Sequence, residues 1–348
     1  MDADFRAYES DSQHWARLEL PDLHYSAAYA RVQETMGGKA IMLGIFTPMG
    51  WIAQPFIKRS TPYDDKHFDF CSPFGGYGGP VSNIVDADDR ADIALRFDAM
   101  LREWCKANNI VSEFCYLHPL LQQADLLPEM KFSLVRHVVI VELQTNWRER
   151  MSKRVRRAMK HAYEQSHTFQ NTAGVLTQPW RAEFAKLYTH AMDLKKAGPH
   201  WRLSASTLEA HYDYLGAELF KAYGRDDGTR MLMVMSRGDT AYAHLLGSDG
   251  NGMRDGLDEF LYVGAAERLA LRGLKYFHIG GGLSGDPTDQ LLFFKSGFAR
   301  PKHWLCSYRR IFDEAVYDDL AHKKKVDEMK VLGRVLDTDF FPAYRRVA

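Results

Sequence analysis

Twice along its 348 residues the chain runs through the same order of sequence signals, and that repetition limits the fold more than any single motif. Residues 40–46 are an apolar run, TPMG at 47–50 is a turn signal, and 51–59 resumes as a strand, so together they read as a β-hairpin. After a loop, 88–107 places Ile93, Phe97, Met100, Leu101 and Trp104 at helical spacing. Asn108 and Asn109 stop that helix, and 110–117 reads as a buried strand running into His118 and Pro119. In the second half, 231–235, a turn at Arg237, Gly238 and Asp239, and 240–246 form another hairpin. A helix follows from about 259 to 271, with Asp258 as its expected N-cap and Gly273 as its stop. Residues 274–279 then make a short strand ending in Gly280, Gly281 and Gly282. Helix–strand units in this order predict an α/β fold, α+β in the sense of mixed sheets.

A chain of this length supports two domains, each with its own core. The expected division is 1–147, a basic connector helix over 148–166, a second domain over 167–312, and a tail over 313–348 that packs back on the body. Aromatic residues Phe340 and Phe341 favour that docking over fraying. Lys plus Arg balance Asp plus Glu at 45 each, which argues against a protein that coats nucleic acid. No DNA contact is expected, and any RNA contact must be local. The N-terminal 19 residues lack the basic and apolar blocks of a signal peptide, and no apolar run approaches the roughly 20 residues of a membrane span. Four scattered cysteines with no CxxC pair give no zinc site and no disulfide framework, so a cytoplasmic location and no metal are expected.

Three segments carry candidate chemistry. SPFGGYGGP at 72–80 has four glycines within five positions, which lets backbone approach a ligand closely. Ser72, Tyr77, Gly78 and Gly79 are its candidate substrate-binding residues; a tight strand-to-helix connection with Tyr77 packed is the competing reading. The strand at 276–279 ends in glycines and opens toward a helix, the place where α/β proteins bind ligands, so Gly280 and Gly281 are candidates too. Beyond it Lys295 lies among Phe293, Phe294 and Phe298, where a cation would hold a developing oxyanion in a low-dielectric setting. A lysine snorkelling from a core helix fits the same pattern. Tyr242 and His244 alternate onto one sheet face, and His278 precedes the glycines; either histidine has the pKa of a general base, and Asp286 is a further candidate. Seven cations between Arg148 and Lys160 fit either phosphate contacts or a solvated helix face.

These segments together resemble the Fem-type branch of the GNAT acyltransferase superfamily, the aminoacyl-tRNA-dependent transferases that build peptidoglycan cross-bridges. The resemblance rests on the loop at 72–80, RRAMKHA at 156–162, Tyr188 with Met192, the strand and glycines at 278–282, and FKSGF at 294–298. It spans about 40–298 and implies two tandem GNAT-like acyl-CoA N-acyltransferase domains, with the C-terminal segment returning toward the first. It also implies that Phe294 and Lys295 match a Phe-Lys pair that matters for acyl transfer. Lys58 and Arg154 are candidate phosphate contacts. No insertion is present for the long helical arm of some Fem proteins, so the amine acceptor is open among a peptidoglycan precursor, a sugar nucleotide and a natural-product peptide.

For the donor, GSDGNGMRDGLD at 247–258 stands where acetyl-CoA enzymes seat a pyrophosphate. Its Asp249, Asp255 and Asp258 would repel that group, which favours charged tRNA as donor and partner over acyl-CoA, with no cofactor. The expected activity is an N-acyltransferase carrying an aminoacyl group to an amine. An acyl-CoA enzyme on the same fold, or a non-catalytic peptide- or glycan-binding module, are the alternatives.

Overall fold

The computed structural model describes residues 4–73, 75–144, 146–172, 177–224, 228–250, 256–336 and 338–346. It divides into two compact units, one of Met1–Leu134 with Leu305–Ala348 and one of Val135–Trp304. Both units have mixed sheets and helices.

In the first unit, β1 (Asp4–Glu9) edges a meander of β2 (Lys39–Thr47), β3 (Gly50–Thr61) and β4 (Asp64–Cys71). Short helices α1 (Gln13–Arg17) and α2 (Ala27–Glu34) precede the meander, and β5 (Val81–Ser82) pairs with β3. Helix α3 (Ala87–Ala107) then crosses to β6 (Ile110–Tyr116), which lies parallel to β4. Asp86 caps α3 by accepting the N–H groups of Asp88 and Asp89, and Ile93, Phe97, Leu101 and Cys105 form its buried stripe. Those side chains meet Ile41, Leu43, Ile52, Phe56 and Phe70 of the sheet in one core.

The second unit repeats this order. Strand β7 (Phe132–Glu142), which begins at the boundary, leads to α4 (Lys153–Glu164) and the edge strand β8 (Thr168–Asn171). Helices α5 (Gln178–Leu194) and α6 (Ala205–Leu215) come next, then a meander of β9 (Glu218–Tyr223), β10 (Thr229–Arg237) and β11 (Thr240–Ser248). Helix α7 (Leu257–Leu271) crosses to β12 (Tyr276–Gly281), parallel to β11, and the short α8 (Gln290–Ser296) follows. The chain returns through β13 (His303–Ile311), antiparallel to β6, and ends with α9 (Glu314–Leu332).

Strand order makes the repeat explicit: β1-β2-β3-β4-β6-β13 in the first unit and β8-β9-β10-β11-β12-β7 in the second. The equivalent hairpins are therefore β2–β3 and β9–β10, so the sequence comparison of 40–59 with 231–246 was displaced by one strand. The cause is the polar opening of β4 (Asp64, Asp65, Lys66, His67), which hides the third strand of the first meander.

Two further expectations change. Residues 148–166 do not stand apart as a connector, because α4 buries Val155, Met159 and Ala162 in the second unit's core. The first boundary accordingly falls ahead of β7's apolar run rather than at 147. The N-cap of α7 is Gly256, and Asp258 lies inside its first turn. In the tail, Tyr344 is buried with its hydroxyl 2.8 Å from Ser112 Oγ, while Phe340 is exposed. Among the described residues, no helix is long and apolar enough to cross a membrane.

Candidate active site

The second unit gathers most of the candidate residues at the end of β12. The parallel ladder between β11 and β12 covers only Thr240–Tyr276, Ala241–Phe277 and Tyr242–His278, although β11 continues to Ser248 and β12 to Gly281. Just past the last rung, the β12–β7 ladder steps irregularly from His278–Ile140 to Gly280–Val139. Gly280 takes φ +78°, and a Cβ there would stand 2.9 Å from the Lys295 ammonium. A Cβ on Gly281 would lie 2.3 Å from the His137 carbonyl oxygen. The glycines are thus required by close approach of the protein's own groups.

Lys295, near the end of α8, reaches back and donates to the Gly281 carbonyl at 3.0 Å. The residue is half-buried overall, and burial of its ammonium lowers the pKa to about 8; Arg136 and Lys195 push the same way while Asp289 opposes them. Asp289 caps α8 by accepting Leu292 N–H at 2.8 Å, and its other oxygen accepts the N–H groups of Leu283 and Ser284. Phe294 packs edge-on to Tyr262 and Phe298, with centroids 5.9 and 5.3 Å away.

Arg154 does not stand open toward a phosphate. It pairs with Glu259 at the start of α7 and donates to the Phe294 carbonyl at 2.7 Å, fixing α8. The rest of the basic run is also largely engaged: Arg148 meets Glu267, and Arg150 meets Glu142. Arg156 donates to the carbonyls of Glu149 and Met151.

His278 is buried, stacks obliquely on Tyr242 at 5.5 Å, and accepts the Gly280 N–H on Nδ1 at 3.1 Å. A neutral ring in that bond carries its proton on Nε2, which makes it a donor there rather than a base. His244 sits at a β-bulge, where the β10–β11 ladder steps from Val234–Ala243 to Met233–Leu245. Its Nε2 lies 3.0 Å from Nε2 of the buried His211, whose Nδ1 contacts the Thr207 carbonyl. Asp286 is exposed, and the N–H and hydroxyl of Thr288 hold its carboxyl below the usual pKa. That is a turn residue's arrangement, and the proton-acceptor expectation for Asp286 is dropped.

Arg230, buried at 2% exposure, pairs with both Asp249 (3.1 Å) and Asp258 (3.0 Å), so one guanidinium partly compensates these two carboxylates. Asp255 lies outside the described residues. Repulsion of a pyrophosphate by three bare carboxylates therefore no longer holds. What remains is that the N-terminal turn of α7 already carries Asp258 and Glu259, acidic groups that complement the helix dipole.

In the first unit, the glycine-rich loop turns toward the protein interior. Ser72 Oγ accepts the Tyr116 N–H at 3.2 Å, and the Gly78 carbonyl accepts both Tyr25 OH (2.7 Å) and Gln123 Nε2 (2.9 Å). Tyr77 is buried between His24 and His118, edge-on to both at 5.0 and 4.9 Å. Side chains at Gly78 or Gly79 would collide with Cys115 Sγ or Leu117. The packed-connection reading accounts for Ser72, Tyr77, Gly78 and Gly79.

Beneath that loop, donor atoms of Asp22, His24 and His118 lie within 4.8 Å of one another. They do not suit a metal. His118 Nδ1 accepts the Leu120 N–H, so a neutral ring presents N–H rather than a lone pair from Nε2 toward Asp22 Oδ2, 3.6 Å away. His24 Nδ1 is hydrogen-bonded to Asp22 Oδ1 at 2.6 Å. Burial lowers the His118 pKa to about 4. Lys58 lies elsewhere, on the α3 face of the first sheet.

Sequence reading missed Arg136, Lys195, Arg230, Glu259 and Asp289. Arg136 alone left a trace, as a cation inside the apolar run of β7.

No family model matches the sequence, and no curated protein does. Solved structures do. The structure of FemX aligns with a TM-score of 0.65 at 13% identity, covering 90% of this chain and 99% of that one. L-PGS from Bacillus licheniformis aligns at 0.51 with 12% identity, over 80% and 86% of the two chains. A tandem GNAT protein from the clavulanic acid biosynthesis pathway aligns at 0.50 with 7% identity, over 89% and 99%. The chain shares its fold with these solved structures.

Proposed function

We propose that this chain is an N-acyltransferase that moves an aminoacyl group from aminoacyl-tRNA to an amine. The carrying observation is Lys295, whose ammonium is hydrogen-bonded to the Gly281 carbonyl at the glycine-ended tip of β12 and is lowered in pKa by burial and by the charges of Arg136 and Lys195. A tetrahedral oxyanion or a polyanionic donor would be stabilised by that ammonium, and the low local dielectric strengthens the contact. The acceptor amine attacks the ester carbonyl, an N–C bond forms, and the C–O bond to the terminal ribose breaks. With Asp286 in a turn and His278 Nδ1 occupied, the amine proton passes to the departing ribose oxygen, and the acceptor enters as the free amine.

The resemblance of its motifs to the Fem-type, aminoacyl-tRNA-dependent transferases supports this class of donor, and the likeness of fold to FemX agrees with it. Acyl-CoA is the second reading, favoured by the partial compensation of Asp249 and Asp258 by Arg230. Turnover in a mixture of tRNA, synthetases and amino acids decides between them. RNase should abolish amide formation if tRNA is the donor; activity that survives RNase and requires acyl-CoA overturns that assignment. Lys295→Ala should lower turnover by about 10²–10³, and a fully active variant would remove the proposed role.

A further inference from the structure

A groove of about 850 Å³ opens in the first unit, beyond the C-terminal end of α3 and on the sheet face that α3 covers. Phe68 and Trp104, both half-buried, line it together with Lys39, Lys58 and Arg59, while Tyr8 borders it with its ring stacked on His14 on the opposite sheet face. Its volume suits a ligand of nucleotide size. The cations differ in how they are compensated. Lys39 pairs with Glu9, and Arg59 with Asp69, which also takes Arg345. Lys58 makes no ion pair and no hydrogen bond among the described residues; its ammonium stands 3.8 Å over the Phe68 ring. Burial and the charge of Lys39 both depress its pKa, as expected of a cation that lacks its counter-charge.

We propose that this groove binds a nucleotide through its phosphate on Lys58 and Lys39 and its base against the aromatic walls. Two features select phosphate over a carboxylate. The groove offers compact ammonium charges, which suit phosphate as point charges, while the one guanidinium fork present, Arg59, is already spent on Asp69. The aromatic residues select a planar body, because every nucleobase has a face to stack. An uncharged ring would leave Lys58 uncompensated, and a bare phosphate would leave the apolar wall wet. This inference stands apart from acyl transfer and survives if that reading fails.

The test is isothermal titration of the full chain with AMP, adenosine and inorganic phosphate at low and moderate salt. AMP should bind more tightly than either fragment and weaken as salt rises. Lys58→Met, which keeps the apolar stem, should weaken AMP about tenfold or more, and Trp104→Leu should weaken AMP and adenosine together. Thermal melting of both variants checks folding, and Lys58→Met should melt no lower than the parent, since it removes an uncompensated charge. Failure of AMP to bind, equal affinity for phosphate alone, or an AMP affinity unchanged in Lys58→Met each overturns the proposal.

Discussion

Arg154 donates to the backbone oxygen of Phe294 at 2.7 Å, one residue before Lys295, while its other terminal nitrogen pairs with Glu259. Its guanidinium also lies 5.4 and 5.5 Å from the rings of Phe293 and Phe294. One side chain of α4 thus ties the seven-residue α8 to the start of α7. So short a helix has little stability of its own, and this tie is a main constraint on where the ammonium sits. Arg154→Gln should lower turnover by about one to two orders of magnitude through misplacement alone. A looser α8 exposes Lys295, so its pKa rises and the alkaline fall in rate moves to higher pH. A purely structural role for Arg154 would leave that limb in place.

Lys295 titrates in an unusual direction for its stability contribution. Its folded pKa of about 8 lies below the ordinary 10.5, so between those values the unfolded chain holds more protons than the folded one. Stability should then rise as pH climbs from about 8 to 10.5, and below 8 the buried charge is a full cost. Lys295→Met removes that cost. It should unfold at equal or higher urea at pH 7, by on the order of 1–3 kcal/mol, while turnover drops as for the alanine variant. Loss of both stability and activity would make Lys295 a structural residue instead.

How much of this was legible in the sequence depends on whether a signal is local. The core of α3 was, because Ile93, Phe97 and Leu101 carry the helical period. FKSGF was legible as a cation among aromatics, and the glycines of β12 as a tight place. What the chain could not disclose is pairing across distance. Arg230 pairs with carboxylates 19 and 28 residues away, and Arg154 meets Glu259 105 residues on. Composition therefore overstated both the negative charge of 247–258 and the openness of the basic run. The glycine-rich loop misled for the same reason: its glycines make room for Cys115, Leu117 and Tyr29 rather than for a ligand.

Gly280 tests the geometry without removing any functional group. Alanine there must hold φ +78°, at roughly 1–2 kcal/mol, and its methyl would stand where the Lys295 ammonium comes within 2.9 Å. The ammonium sits on a flexible stem and can yield, so folding should survive with a modest loss. Turnover should fall by more than the loss of stability explains. Equal activity in Gly280→Ala would mean the ammonium position is not critical.

His118 sets an acid limit on the first unit. Burial holds its pKa near 4 against an ordinary 6.5, and it shares the interior with Asp22, His24 and Tyr77. A depressed histidine pKa means the unfolded chain takes up a proton that the fold refuses. Stability is therefore whole above about 6.5 and declines as pH falls toward 4. The slope from this one group is about 1.4 kcal/mol per pH unit at its steepest. His118→Gln will lower stability at pH 7, since it disturbs the Leu120 and Asp22 contacts, so the measurement is the slope and not the midpoint. Urea unfolding at half-unit steps from pH 7 to 4 should give a shallower decline in the variant. An unchanged slope would assign the acid limit to other groups.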